Sequence, residues 1–313
     1  MIVLDRLTKR YGNAVSVDQL SLTVPTGSIC ALVGASGGGK TTTLRLINRL
    51  IEPDEGRVLI DGTDAASLAP VALRRHIGYV IQSVGLFPHW NVARNIATVP
   101  NLLGWKRDRI ERRIDELLDL VGLDPASYRD RRPHELSGGQ QQRVGVARAL
   151  AADPDLLLMD EPFGALDPVT RDGLQLALLD IQARTGKTIV IVTHDIDEAI
   201  RLASLIAVLD GGRLIQHGSP HDLLARPANA FVEAFVGGPQ RGLRLLQVTR
   251  VRERTDFGES IGGTPIDADV TLDIALERMV TTGAHRLPVY DRAADRYGTL
   301  ALADIALRNG RQA

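Results

Sequence analysis

A lysine and two hydroxyl residues placed directly after a run of glycines can hold a phosphate chain. Gly34, Gly39, Lys40 and Thr41 satisfy the pattern G-x-x-x-x-G-K-[ST], within the stretch Gly34, Ala35, Ser36, Gly37, Gly38, Gly39, Lys40, Thr41, Thr42. Glycines let successive backbone N–H groups turn inward with no Cβ in the way. Lys40 offers a flexible cation for β- and γ-phosphates, and the Thr41 hydroxyl is a hard oxygen ligand suited to Mg²⁺. The plainer reading is a flexible loop ending in a solvated lysine. Two acids, Asp160 and Glu161, follow the apolar run Leu156 to Met159, and His194 follows Thr188 to Thr193. Taken singly, these are solvated acids and a helix-start residue. Taken together with the loop, they are two carboxylates and an imidazole that a single active edge could collect beside a phosphate-holding loop.

Such a set works only if the chain brings it to one place. Ser28 to Val33 reads as a buried strand entering the loop, and Thr41 to Leu50 as a helix leaving it, with Leu44, Ile47 and Leu50 at helical spacing. A helix N-terminus after the loop adds unpaired N–H groups and partial positive charge. The runs at Leu156 and Thr188 are continuously apolar, as parallel strands covered on both faces are. Ligands of such sheets sit at the carboxyl ends of the strands, where Gly34, Asp160, Glu161 and His194 all fall. A second anion site is suggested by Leu136 to Gln140, LSGGQ, opening the helix QQRVGVARALAA. Ser137, Gly138, Gly139 and Gln140 there fit either a capping box or a phosphate-holding helix tip.

The remaining pattern predicts an α/β core with two additions. Residues 1–33 alternate as antiparallel strands, with Tyr11 in the first connection either packing or stacking on a purine ring. Residues 83–135 hold both tryptophans, two prolines and an amphipathic helix from Asp108 to Val121, and read as a helical insertion. The core ends with the hairpin SLIAVLDGGRLIQHG and a helix near Phe231 to Val236. Gly237 to Gly242 reads as a linker to a small unit at 243–313. Arg241, Arg244, Arg250, Arg252 and Arg254 read as a solvated strand face, or alternatively an anionic-lipid contact.

Composition narrows the class. The chain has 313 residues, 44% hydrophobic and 24% charged, with net charge −1, which argues against nucleic acid as the main partner. The single cysteine, Cys30, excludes a disulfide framework and suggests a reducing compartment. No apolar run approaches the roughly 18 residues that span a bilayer, and the N-terminus lacks the plan of a signal peptide. A cytoplasmic protein is expected, meeting a membrane only through partners.

The motifs GASGGGKT, Gln82, LSGGQ, LLLMDEP, Ala165 to Asp167 (ALD) and His194 resemble, in order and spacing, those of the ATP-binding subunits of ABC transporters. The likeness covers residues 1–237, with the helical subdomain at about 83–150. The stretches LRLINRLIEPDEG and HIGYVIQSVGLFPHWNVARNIA are similar to osmoprotectant importer ATPases of the glycine betaine, choline and carnitine group. The resemblance implies a P-loop NTPase fold with an antiparallel β subdomain. It implies ATP and Mg²⁺ as cofactors. It also implies a head-to-tail homodimer, two membrane-spanning permease subunits and a substrate-binding protein, at the inner face of the cell membrane. Each ATP would lie between the Gly34–Thr42 loop of one copy and the Ser137–Gln140 helix start of the other. Tyr11 would stack on adenine. Thr41 and Gln82 would hold Mg²⁺, with Asp160 acting through water. Glu161 would polarise the attacking water, His194 would hold the γ-phosphate, and Asp167 would link the two sites. The Gln82 to Trp90 region would receive helices of the membrane subunits. The alternatives are an importer of another small solute, such as an amino acid or a sulfonate, a soluble switch ATPase without a membrane partner, or a nucleotide-binding regulator without turnover.

The tail has a likeness of its own. TLDIALERMVTTGAHRLPVYD and YGTLALADIAL resemble one CBS motif, where pairs are usual. Adenine-nucleotide-binding copies place Ser or Thr three residues and Asp six residues after a Gly. Here Gly298 is followed by Ala301 and Asp304, so the hydroxyl is missing and the acid is present. A structural or dimerising tail is expected, with an adenine nucleotide as the alternative.

Overall fold

In the computed structural model, which describes residues 1–81, 85–164 and 166–306, the apolar runs become the middle of a parallel sheet. Strands β1 (Ile2–Tyr11), β2 (Ala14–Val24), β3 (Ile29–Gly34), β4 (Glu55–Ile60), β5 (Thr63–Asp64) and β6 (Ile77–Val80) precede the helical region. β7 (Leu156–Asp160), β8 (Thr188–Val192), β9 (Leu205–Asp210) and β10 (Arg213–Gly218) follow it. β3, β7 and β8 are buried at every residue, which is what their unbroken hydrophobicity required. The six-stranded sheet runs β10-β9-β3-β8-β7-β6, parallel except for the antiparallel edge pair β9 and β10.

Register sets the active edge. Leu32 and Asp160 both pair with Val192. Gly34, Glu161 and His194 therefore emerge side by side at the carboxyl ends of three adjacent strands. Cys30 is fully buried in β3, and burial pushes its thiol up to about 12. A second, antiparallel sheet, β2-β1-β4-β5, shares with the first a core that includes Leu4, Leu20, Leu32, Leu44 and Leu209.

The first helix, α1 (Lys40–Ile47), stops short of the expected Leu50 because Arg49 turns left-handed at φ 47°. After α2 (Pro70–Arg75) come α3 (Val92–Ile96), α4 (Thr98–Leu102), α5 (Arg107–Leu120), α6 (Pro125–Tyr128) and α7 (Gly138–Leu150). These form the helical insertion. α5 buries Ile110, Ile114, Leu117 and Leu118 on one face, and left-handed Gly122 follows it. α8 (Pro168–Thr185) and α9 (Ile196–Leu202) lie between the last core strands. Among the described residues, no helix is long and apolar enough to cross a membrane.

The chain forms two compact units that divide at Ser219/Pro220, earlier than the Gly237 boundary expected from the sequence. The second unit begins with α10 (Pro220–Ala225), α11 (Ala230–Phe235) and α12 (Arg241–Val248). Leu223, Leu224, Val232 and Val236 are buried there. The expected linker is structured: left-handed Gly237 stops α11, a 3₁₀ turn spans Gly238–Gln240, and α12 follows at once. Arg241 and Arg244 consequently sit on a helix and not on a strand face. The arginine run also has counter-ions remote in sequence: Arg241 pairs with Glu233 at 3.2 Å, Arg250 with Asp269 at 3.5 Å and Arg252 with Asp291 at 3.6 Å.

The rest of this unit is β11 (Ile266–Asp267), α13 (Leu272–Thr282), β12 (Arg286–Asp291), β13 (Arg296–Ala301) and α14 (Leu302–Ala306). Its three strands form a sheet in the order β11-β12-β13 over a core of Val251, Leu272, Met279, Val289 and Leu300.

Candidate active site

The glycine loop wraps tightly because the chain leaves it no alternative. Gly34 has φ 138°, and a Cβ there would lie 1.9 Å from the Leu209 carbonyl oxygen of β9. Gly39 has φ 89°, and a Cβ there would lie 2.4 Å from the Ser16 carbonyl oxygen of β2. The two strands thus clamp the loop at both ends, and only glycine fits under them. Between the clamps, Gly38 N–H donates to the Ala35 carbonyl at 3.1 Å.

Lys40 is buried, and its ammonium donates to the Gly34 carbonyl at 2.9 Å and the Ala35 carbonyl at 2.7 Å. Burial pushes its pKa down, and the nearby Glu161 and Asp160 carboxylates push it back up. Thr41 donates its hydroxyl to Asp160 Oδ1 at 3.0 Å. Asp160 is itself buried, and desolvation raises its pKa, the Thr41 hydrogen bond opposing and the Glu161 charge adding to the effect. Glu161 follows with a left-handed backbone, φ 49°, held by its N–H on the Val192 carbonyl at 2.9 Å. A non-glycine residue in that conformation marks strain of the sort found at working sites. His194 Nδ1 lies 3.3 Å from Glu161 Oε1, with the imidazole largely exposed.

Gly39, Lys40, Thr41, Glu161 and His194 line one open cavity of about 420 Å³, with Asp160 behind Thr41 and outside the lining. Ser36 to Thr42 line one side, and Glu161 and His194 the other. That volume suits a nucleotide-sized ligand. Ser16 also lines it, its hydroxyl 2.9 Å from the Thr42 hydroxyl. Ser16 was not singled out in the sequence, where it looks like one more polar position on an alternating strand. The signal was indirect: Gly39 is needed because β2 passes so close.

Other expected site residues lie elsewhere. Gln82 is outside the described residues. Tyr11, at the end of β1, is half exposed with Lys9 Nζ 5.9 Å from its ring centre, and does not line the cavity. Ser137, Gly138, Gly139 and Gln140 do not line it either. Ser137 caps α7: its Oγ accepts the Gln140 N–H at 3.3 Å, and Gln140 Oε1 accepts the Ser137 N–H at 2.9 Å. The capping box is real, and it leaves the amides of Gly138 and Gly139 at an exposed helix tip without intrahelical partners.

Asp167 caps α8, accepting the Thr170 N–H at 3.0 Å. The Thr170 hydrogen bonds hold its carboxyl below the ordinary value. A carboxyl depressed in the folded state adds stability that is present above its unfolded pKa and is lost as pH falls through the folded one. Asp167→Ala is expected to lower the melting temperature by about 2–4 °C at pH 7. Asp167→Asn, an equally good cap, should match the wild type there and diverge only below about pH 4. Thermal melts of the three proteins across pH check this.

The comparisons with known proteins agree with this geometry. Residues 17–164 match the family model described as "ABC transporter". The chain is 50% identical over 305 residues to the "Glycine betaine uptake system ATP-binding protein YehX" of Escherichia coli, covering 97% of this chain and 99% of that one. It is 49% identical to the "Glycine betaine/carnitine/choline transport ATP-binding protein OpuCA" of Bacillus subtilis, covering 93% of this chain and 76% of that one. Among solved structures, the dimeric bacterial ABC transporter cassette MJ0796 superimposes with a TM-score of 0.66 at 34% identity, covering 70% of this chain and 99% of its own.

Proposed function

The chain belongs to the ATP-binding proteins of ABC transporters, and from that premise we propose that it powers uptake of a quaternary-amine osmoprotectant of the glycine betaine, choline and carnitine class. The observation that carries the chemistry is the single cavity where the glycine loop, a buried lysine, Glu161 and His194 meet. The observation that carries the substrate class is the naming of relatives that match nearly the whole chain.

In this reading the loop amides and Lys40 hold the β- and γ-phosphates of ATP. Thr41 and Asp160 place oxygen atoms 3.0 Å apart beside the loop, which fits Mg²⁺ held by Thr41 with Asp160 acting through water. Gln82, outside the described residues, is proposed as the second ligand. Mg²⁺, when bound, neutralises phosphate charge. Glu161 orients the attacking water and takes its proton. His194 holds the γ-phosphate from the far wall.

The Ser137–Gln140 tip does not reach its own cavity, so it serves the nucleotide of a second copy, with Asp167 near the junction and Tyr11 against adenine. Two permease subunits hold the pair at the inner face of the membrane, and a substrate-binding protein supplies the solute. The tail is read as structural or dimerising. Gly298 is packed where a Cβ would lie 2.5 Å from Thr255 Cγ2, and Asp304 Oδ2 accepts the Ala301 N–H at 3.2 Å. Both residues of the nucleotide-type pattern are already engaged.

The test is ATP turnover in proteoliposomes carrying the permease subunits and binding protein. Turnover is expected to rise with glycine betaine, choline or carnitine, and not with amino acids or sulfonates. A response confined to another solute class would remove the substrate assignment and spare the ATPase chemistry.

A further inference from the structure

His194 stands largely exposed at a strand end, so its placement has to come from what holds the residues beside it. Both neighbours are tied to the same helix. On one side, the Thr193 hydroxyl donates to the Glu198 carboxylate, which also accepts from Gln175 Nε2 of α8 at 3.4 Å. On the other side, Asp195 lies 4.0 Å from Arg171 Nη1 of α8, and Arg171 Nη2 donates to the Leu166 carbonyl at 3.2 Å. Asp195 N–H closes the turn by donating to Thr193 Oγ1 at 3.0 Å. A small space of about 50 Å³ is lined jointly by Arg171, Thr193, Asp195 and Glu198 of this cluster and by Glu161 and His194.

The cluster is buried: Thr193 is 2% exposed, Gln175 3% and Glu198 8%. Burying three polar side chains is unfavourable unless each is hydrogen-bonded, and a packing role alone would be met by apolar residues of the same size. Burial pushes the Glu198 carboxyl up, and the Thr193 hydrogen bond pulls it part of the way back. Gln175 is held in turn, its Oε1 accepting from Arg201 Nη1 at 3.2 Å.

We propose that Glu198 is a positioning residue for ATP hydrolysis, bridging α8 through Gln175 to Thr193 and so fixing His194 against the γ-phosphate. α8 begins at Asp167, so a shift at that helix start reaches both flanks of His194 through rigid helix and hydrogen bonds. This inference rests on the role proposed above for His194.

The test uses the full chain reconstituted with its membrane subunits. Thr193→Val removes the hydroxyl at constant shape, and Thr193→Ser restores it. Glu198→Ala removes the bridge from the other end. Thr193→Val and Glu198→Ala are expected to lower kcat by about 10-fold or more, with the dissociation constant for a fluorescent ATP analogue within about twofold of the wild type. Thr193→Ser is expected to recover most of the rate. A loss of binding in parallel with rate, a Thr193→Ser protein as slow as Thr193→Val, or an unchanged kcat in Thr193→Val would each overturn the proposal. If Glu198→Ala fails to fold, the Thr193 pair decides alone. His194→Ala is measured alongside. Wild-type turnover in that variant would sink the role of His194 itself, whereas an impaired His194→Ala with a normal Thr193→Val would sink only the bridge.

Discussion

Glu161→Gln is expected to lower ATP turnover by at least about 100-fold while ATP binding survives. Gln has the size and shape of Glu, so the left-handed turn at residue 161 and its N–H bond to the Val192 carbonyl are kept. What disappears is a carboxylate able to accept a proton from water. That carboxylate also stands on the wall facing the loop, where its negative charge opposes that of a bound γ-phosphate. Affinity for ATP should therefore be at least as high as in the wild type. The two effects together should trap the nucleotide-bound form, and with it the proposed head-to-tail dimer, visible by size-exclusion chromatography with Mg-ATP. Phosphate release and nucleotide-analogue fluorescence measure the two halves of the prediction. Wild-type turnover in this variant would take the water-orienting role away from Glu161.

Gly34→Ala is expected to be the most destabilising single methyl in the first unit. Its Cβ would sit 1.9 Å from the Leu209 carbonyl oxygen and 2.9 Å from the carbonyl carbon. Both atoms belong to β9, which is hydrogen-bonded to β3 in the centre of the sheet, so neither can step aside without breaking the ladder. The φ of 138° is also closed to an L side chain. A cost of about 3–5 kcal/mol is expected, enough to leave little folded protein at 37 °C. Gly37→Ala is the control. It has nothing within 4 Å of the added carbon and carries only the left-handed strain of φ 78°, about 1–2 kcal/mol. Urea unfolding of the two variants checks the difference. Equal stabilities would mean that the loop does not press on β9.

The edge that carries the candidate site was legible in the sequence because strands buried on both faces announce themselves as unbroken apolar runs, and the candidate residues sit directly after them. Leu156 to Met159 and Thr188 to Thr193 needed no tertiary information to be read as neighbours of Ser28 to Val33. The amphipathic α5 was legible for the same reason, its buried positions recurring at helical spacing. What escaped was set by contacts between distant segments. Ser16 meets Thr42 only because β2 crosses the loop. Glu198 looks like an ordinary acid in the first turn of a short helix until Gln175, on a different helix, closes over it. Gly237 and Gly238 looked like a linker because a helix-stopping glycine and a flexible joint have the same composition. The packing of Val232 and Val236 decides for the former.

The helix tip at Ser137 does not line the cavity of its own chain, and the proposed service to a second copy has a genetic consequence. A pair in which one copy carries Lys40→Ala and the other Ser137→Arg would combine both lesions at a single composite pocket and leave its twin unharmed. Cells expressing either allele alone would fail to recover from osmotic shock, whereas cells expressing both would regain part of their growth, a rescue that two lesions within one self-contained pocket cannot give.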